Sequence, residues 1–171
     1  SPLSPDAFAP LIEGDNVPVL LGGRAVNVWA DACQHLDAEL RKLAPFTSRD
    51  CDVLGNRDLL GQLARKTGWK AEYRPLRAPT SVIGYLTHQR EDGVQLVAEV
   101  LRTVYGLTRE ECEKSAVPLE YDNHRYRLMS PISLHKAKVA NAANLRQGGR
   151  QDLKHVRMLI RCVRHFLAET Q

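Results

Sequence analysis

Val19-Leu20-Leu21-Gly22-Gly23 and, after a helix-length spacer, Arg49-Asp50-Cys51-Asp52-Val53 are the two stretches of this 171-residue chain that decide its reading. The first is a short apolar run closed by two glycines, which predicts a buried strand over 17–21. A diglycine turn that opens a helix lets a phosphate come close to backbone N–H groups, so Gly22 and Gly23 are candidate nucleotide-binding residues. The second predicts a strand over 49–54. Side chains at i and i+2 of a strand share a face, about 6–7 Å apart. Asp50 and Asp52 placed that way can share hard divalent cations such as Mg²⁺ or Mn²⁺. Together the two stretches predict a site that takes a nucleoside triphosphate through its metal.

The spacer predicts a helix over 24–43, with Val28, Ala32, Leu36, Leu40 and Leu43 on one face and Pro45 ending it. Residues 1–16 read as loop with one short helical turn around Phe8. Beyond the aspartates, Asn56 caps a helix carrying Leu59, Leu60, Leu63 and Ala64, and Gly68 stops it. Strands follow over 70–76, 81–88 and 94–101, the last two joined by a turn at 89–93. Thr108 and Glu111 make a capping box for a helix through residue 116. A hairpin of 119–121 and 126–129 turns at Asp122-Asn123. Two helices, 132–146 and 151–168, close the chain. Strands and helices alternate first, then come antiparallel strands, then helices. The fold class is therefore α/β (α+β), a mixed sheet flanked by helices. Its expected division is 1–130 for the sheet domain and 131–171 for a C-terminal helical unit packed on it.

Hydrophobic residues at 43% and charged residues at 26% suit a soluble globular protein, and the longest apolar run is far short of a membrane span. The first residues lack the basic and apolar regions of a signal peptide. Cys33, Cys51, Cys112 and Cys162 form no CxxC pair, so they read as free thiols of a cytoplasmic protein. The net charge of +4 is unevenly placed: residues 121–171 hold 10 Lys/Arg against 3 Asp/Glu, whereas residues 1–120 hold 14 against 17. That asymmetry predicts a polyanion beside the C-terminal helices. The last helix has an apolar stripe, Leu153, Val156, Ile160, Val163 and Leu167, read as its buried face. Arg150, Lys154, Arg157, Arg161 and Arg164 flank it, as a solvated row or as a track for an RNA backbone. No P-loop, HExxH or Gly-x-Ser-x-Gly pattern is present. Trp29 and Trp69 read as core or interface residues.

Leu21-Gly22-Gly23, a helix, and then Thr47-Ser48-Arg49-Asp50-Cys51-Asp52-Val53 resemble the signature of the DNA polymerase β-like nucleotidyltransferase superfamily. The Thr-Ser before the aspartates is similar to that of the bacterial toxin-type, AbiEii-like branch. The resemblance implies that Asp50 and Asp52 hold Mg²⁺ and that Ser48 with Gly22 and Gly23 binds nucleotide. It also implies a third carboxylate on a following strand. Glu99, inside Leu96-Val97-Ala98-Glu99-Val100-Leu101, is the leading candidate where the family carries Asp, and Asp92 is a weaker one in a turn. Ser130-Pro131 followed by Leu134, Lys136, Lys138 and Asn141 resembles the helical element that sends a basic residue to the triphosphate; Lys136 and Lys138 cannot share a face, and Lys138 is slightly ahead. The implied activity moves a nucleoside monophosphate from an NTP to a hydroxyl acceptor such as RNA or tRNA. A catalytically inactive nucleotide- or RNA-binding module, or an interaction protein paired with an antitoxin, are the other readings.

Overall fold

A computed structural model describes residues 5–14 and 16–171; residues 1–4 and 15, part of the loop expected over 1–16, lie outside the described residues. One seven-stranded mixed sheet runs through the protein, in the order β3-β4-β5-β2-β1-β7-β6. Its strands are β1 (Val19–Leu21), β2 (Cys51–Leu54), β3 (Lys70–Tyr73), β4 (Val82–Gln89), β5 (Gln95–Leu101), β6 (Ala116–Tyr121) and β7 (His124–Met129). The centre is parallel at β2–β5 and β1–β7 and antiparallel at β1–β2. Two antiparallel extensions, β3–β4–β5 and β6–β7, complete it. The chain is α+β, as expected.

The helices are α1 (Ala9–Ile12), α2 (Gly22–Cys33), α3 (Ala38–Arg41), α4 (Arg57–Thr67), α5 (Arg109–Lys114), α6 (Pro131–Asn144) and α7 (Asp152–Glu169). Local chemistry sets several ends. The Asn56 side chain accepts from the Leu59 N–H, and Gly68 closes α4 in the left-handed region. Thr108 and Glu111 form the expected capping box of α5. Asp122 and Asn123 both take positive φ in the β6–β7 turn, as a tight hairpin requires.

The helix expected over 24–43 is broken. α2 ends at Cys33, a 3-10 turn follows at Gln34–Leu36, and Asp37 is extended. Asp37 starts α3 by accepting from the N–H groups of Glu39 and Leu40. It also receives both bonds of Arg161 and lies beside His165. Three sets of donors on one carboxylate outweigh a continuous helix there.

The stripe assigned to the buried side of α7 is a second correction. Leu153, Ile160 and Leu167 are 59%, 49% and 45% exposed, while Asp152, His155, Met158, Leu159 and Cys162 are buried. Met158, Leu159 and Cys162 join the same hydrophobic cluster as Leu20, Leu21, Val53 and Trp29, so α7 is part of the main core. Trp29 and Trp69 are both buried. Among the described residues no helix is long and apolar enough to cross a membrane.

Candidate functional site

A cavity of about 630 Å³ opens where the start of α2, the approach to β2 and the α6–α7 turn meet, and Gly23, Thr47, Ser48, Arg49, Asp50 and Asp52 line one side of it. Lys138, Gly149, Arg150, Gln151, Asp152 and His155 line the other. Its size falls within the roughly 300–1,000 Å³ of small-molecule sites.

Both glycines are there because of what approaches them. Gly22 has φ +61°, and a Cβ on it would stand 2.3 Å from Asp52 Oδ2. A Cβ on Gly23 would stand 3.0 Å from His155 Cε1. The first therefore lets the Asp52 carboxylate sit against the turn, and the second lets α7 close on the first turn of α2. No side chain caps that turn and it carries no acidic residue, so its N–H groups keep the partial positive charge of a helix N-terminus.

Asp52 lies in β2 between two neighbours in register, Leu21 of β1 and Glu99 of β5. Burial pushes its carboxyl up, Glu99 and Asp50 add to the shift, and Lys138 and Arg24 only partly offset it, leaving it at about 7. Glu99 is half-buried and is raised as well, by burial and by Asp50, against Arg74. Asp50 lies just before the strand and is exposed. Its segment is fixed from inside by Arg24, which donates to Asp50 O at 3.1 Å and Ser48 O at 2.9 Å and stacks over the Phe8 ring. Cys51, between the aspartates, points into the core on the other face, where burial pushes its thiol up to about 12.

The opposite wall is cationic, with one buried anion inside it. Asp152, 2% exposed, accepts from Lys138 Nζ at 3.1 Å and Arg150 Nε at 2.5 Å. Burial alone would raise its carboxyl, but Arg150 and Lys138 overcome that and hold it below the usual carboxylate range. His155 is 7% exposed and its Nδ1 has no partner among the described residues. Burial, with Lys138 next, drives its pKa down to about 4, so the ring is neutral at neutral pH.

The structure thus brings Gly23, Ser48, Asp50, Asp52 and Lys138 to one cavity, with Gly22 against Asp52. Glu99 stands beside Asp52 across the β2–β5 pair but is not on the cavity wall. Lys136 turns away and pairs with Glu111 on the protein surface, so of the two lysines only Lys138 can reach a cavity ligand. Asp92 stays in its turn with Arg90. Among the described residues no three His, Cys, Asp or Glu side chains gather as a ready-made metal cage. Sequence reasoning missed Arg24, Asp152 and His155 as parts of the site. Asp152 left one signal, an acid at the start of a strongly basic helix; Arg24 and His155 left none. No family model matches the chain, and no curated protein is significantly similar to it.

Proposed function

We propose that this protein is a Mg²⁺-dependent nucleotidyltransferase of the toxin type, moving a nucleoside monophosphate from an NTP to a hydroxyl on RNA. The observation that carries this reading is the convergence on one cavity of Asp50 and Asp52, the uncapped N-terminus of α2, and Lys138 with Arg150. Hard oxygen donors face cationic and N–H donors across a space that accommodates a triphosphate. The fit to a divalent cation rests on Asp52: a half-buried carboxylate, raised first by burial and then by Glu99 and Asp50, is relieved by a cation placed beside it. Asp50 and Asp52 would hold it, with the Glu99 charge beside Asp52 on the neighbouring strand. Such a metal, when bound, neutralises charge at the transferring phosphoryl group.

The chain's own groups do the rest. The α2 N–H groups and Lys138 hold the outer phosphates, and Arg150 closes the rim. Arg24 keeps Asp50 in place through the backbone of its segment. The Glu99 carboxyl, off the cavity wall, acts through Asp52, whose pKa it helps to raise from the neighbouring strand. His155 stays neutral, so it adds no charge beside the phosphates.

The position of Glu99 off the wall favours one other reading, a module that binds NTP and transfers nothing. Incubation with each labelled NTP, Mg²⁺ and total RNA separates the two. Label passes to RNA in the transferase, and Asp52→Asn lowers the rate by on the order of 10³. Saturable NTP binding with no labelled product supports the module instead. No effect of Mg²⁺ and NTP together on the melting temperature sinks both.

A further inference from the structure

The outward side of α7 is a surface the cavity does not use. Leu153, Ile160 and Leu167 recur every seven residues and are 59%, 49% and 45% exposed. Val156 and Val163 lie half-buried between them. That is the a/d spacing of a helix seam, continued over 14 residues, or about 21 Å of helix. Beside the seam stand Arg157 and Arg164, both exposed and without a hydrogen bond or ion pair among the described residues. Their neighbours on the helix are occupied: Lys154 donates to Pro45 O, and Arg161 is bound to Asp37. Between Asp152 and Glu169 the helix contains no acidic residue.

We propose that this face docks an amphipathic helix of a partner protein, one with an aliphatic seam flanked by Asp or Glu. Five branched aliphatic side chains at seam spacing call for an apolar stripe of the same period. The two unanswered arginines call for carboxylates on its flank, since fork-shaped guanidinium groups pair with carboxylates bidentately. A second copy of the chain does not meet that demand along the α7 seam, because Asp152 is buried and bound to Lys138 and Arg150, Glu169 is the last residue of the helix, and no acid lies between them. An RNA backbone would answer the arginines but leave Leu153, Ile160 and Leu167 against phosphates. The surface is independent of the cavity chemistry and stands whether or not the protein transfers nucleotides.

The test uses the full chain and two synthetic three-heptad helical peptides, both with Leu at a and d, one flanked by Glu and one by Lys. Fluorescence anisotropy is expected to show the Glu peptide binding at least about tenfold tighter than the Lys peptide, a preference that shrinks with salt. Ile160→Asp should lower affinity for the Glu peptide at least about tenfold. Arg157→Glu with Arg164→Glu should reverse the preference between peptides. If Ile160→Asp melts early, Leu153→Ser with Leu167→Ser reads the same seam. Equal binding of both peptides, or none, overturns the proposal. So does a dimer in sedimentation that Ile160→Asp dissolves, or a single-stranded RNA probe that binds through Arg157 and Arg164 where the Glu peptide does not.

Discussion

The two sides of α7 carry opposite chemistry to the usual one. The inner side holds a carboxylate and an imidazole, Asp152 and His155, at 2% and 7% exposure, while the outer side shows Leu153, Ile160 and Leu167 to solvent. Solvent-facing aliphatics and buried polar groups on one helix mean that helix position was not set by hydrophobic area alone. Of the inner polar residues, Asp152 is satisfied by Lys138 and Arg150, while His155, whose Nδ1 has no partner among the described residues, fits because Gly23 makes room for it. The hydrophobic anchoring comes from Met158, Leu159 and Cys162, one turn further along. The helix thus has a polar end that shapes the cavity, an apolar middle that fixes it, and an outer seam left over.

The sharpest way to break this comparison is at Asp152. Asp152→Ala leaves the Lys138 ammonium buried without its carboxylate, and losing one partner of a buried pair costs about 3–5 kcal/mol. Chemical denaturation at neutral pH should show a loss of that size, and Lys138→Met in the same chain should restore much of it. If the single variant costs under 1 kcal/mol, the inner side is not held by this pair.

Leu159→Ala probes the apolar middle. Leu159 is fully buried, and truncating such a residue costs about 2–5 kcal/mol. A thermal melt should show the loss without a change in the pH dependence, because no titrating group is touched. That separates the anchoring of α7 from its polar end.

The pH dependence comes next. His155 has a folded pKa of about 4 against roughly 6.5 unfolded. In that interval the unfolded chain binds a proton that the folded one does not, so stability falls as pH falls from about 6.5 to 4, by on the order of 3 kcal/mol. His155→Gln should flatten this part of the curve. Asp37 acts lower down. Burial would raise it, but the Leu40 N–H, Arg161 and His165 hold it at about 2, so its contribution is present above about 4 and is lost as pH falls towards 2. Asp37→Asn should remove that second step and leave the first.

What was legible in the sequence follows the range of the forces involved. Both ends of α4, the start of α5 and the β6–β7 turn rest on contacts within four residues, and Asn56, Gly68, Thr108, Glu111 and Asp122-Asn123 announced them; the end of α5 was not announced, since the helix expected through residue 116 stops at Lys114 and Ala116 already begins β6. The Gly-Gly turn was also legible, and the two aspartates do reach one cavity, but the strand expected over 49–54 starts at Cys51, so Asp50 stands on the approach to β2 and not at the i position of a shared strand face. The break at Asp37 was not: its cause is Arg161, far along the chain, against a locally continuous helical pattern. Lys138 could be separated from Lys136 only when the fold showed which faces the cavity. The inner side of α7 was hidden for a plainer reason. Met158, Leu159, Cys162 and Phe166 repeat at helical spacing as Leu153, Ile160 and Leu167 do, and periodicity cannot choose between two apolar stripes. The choice was made by Lys138 and Gly23, on other elements. Glu99 shows the same limit: an acid in an apolar strand was visible, but its distance from the cavity wall was not.

The smallest expected effect is the most telling about the two sides. Ile160→Ser replaces a large aliphatic side chain, which at a buried position would cost several kcal/mol. Ile160 is half exposed, and in the isolated chain the change should stay within about 0.5 kcal/mol. Leu153→Ser, at a position more exposed still, should do no more. The paired measurement is denaturation of each variant beside Leu159→Ala under the same conditions. Near-zero values on the outer side against a loss of kilocalories on the inner side show that the stripe stabilises nothing within the chain. A loss above about 2 kcal/mol for Ile160→Ser would instead mean that the free protein already buries this face, by self-association or by a shift of α7, and the contrast between the sides would vanish.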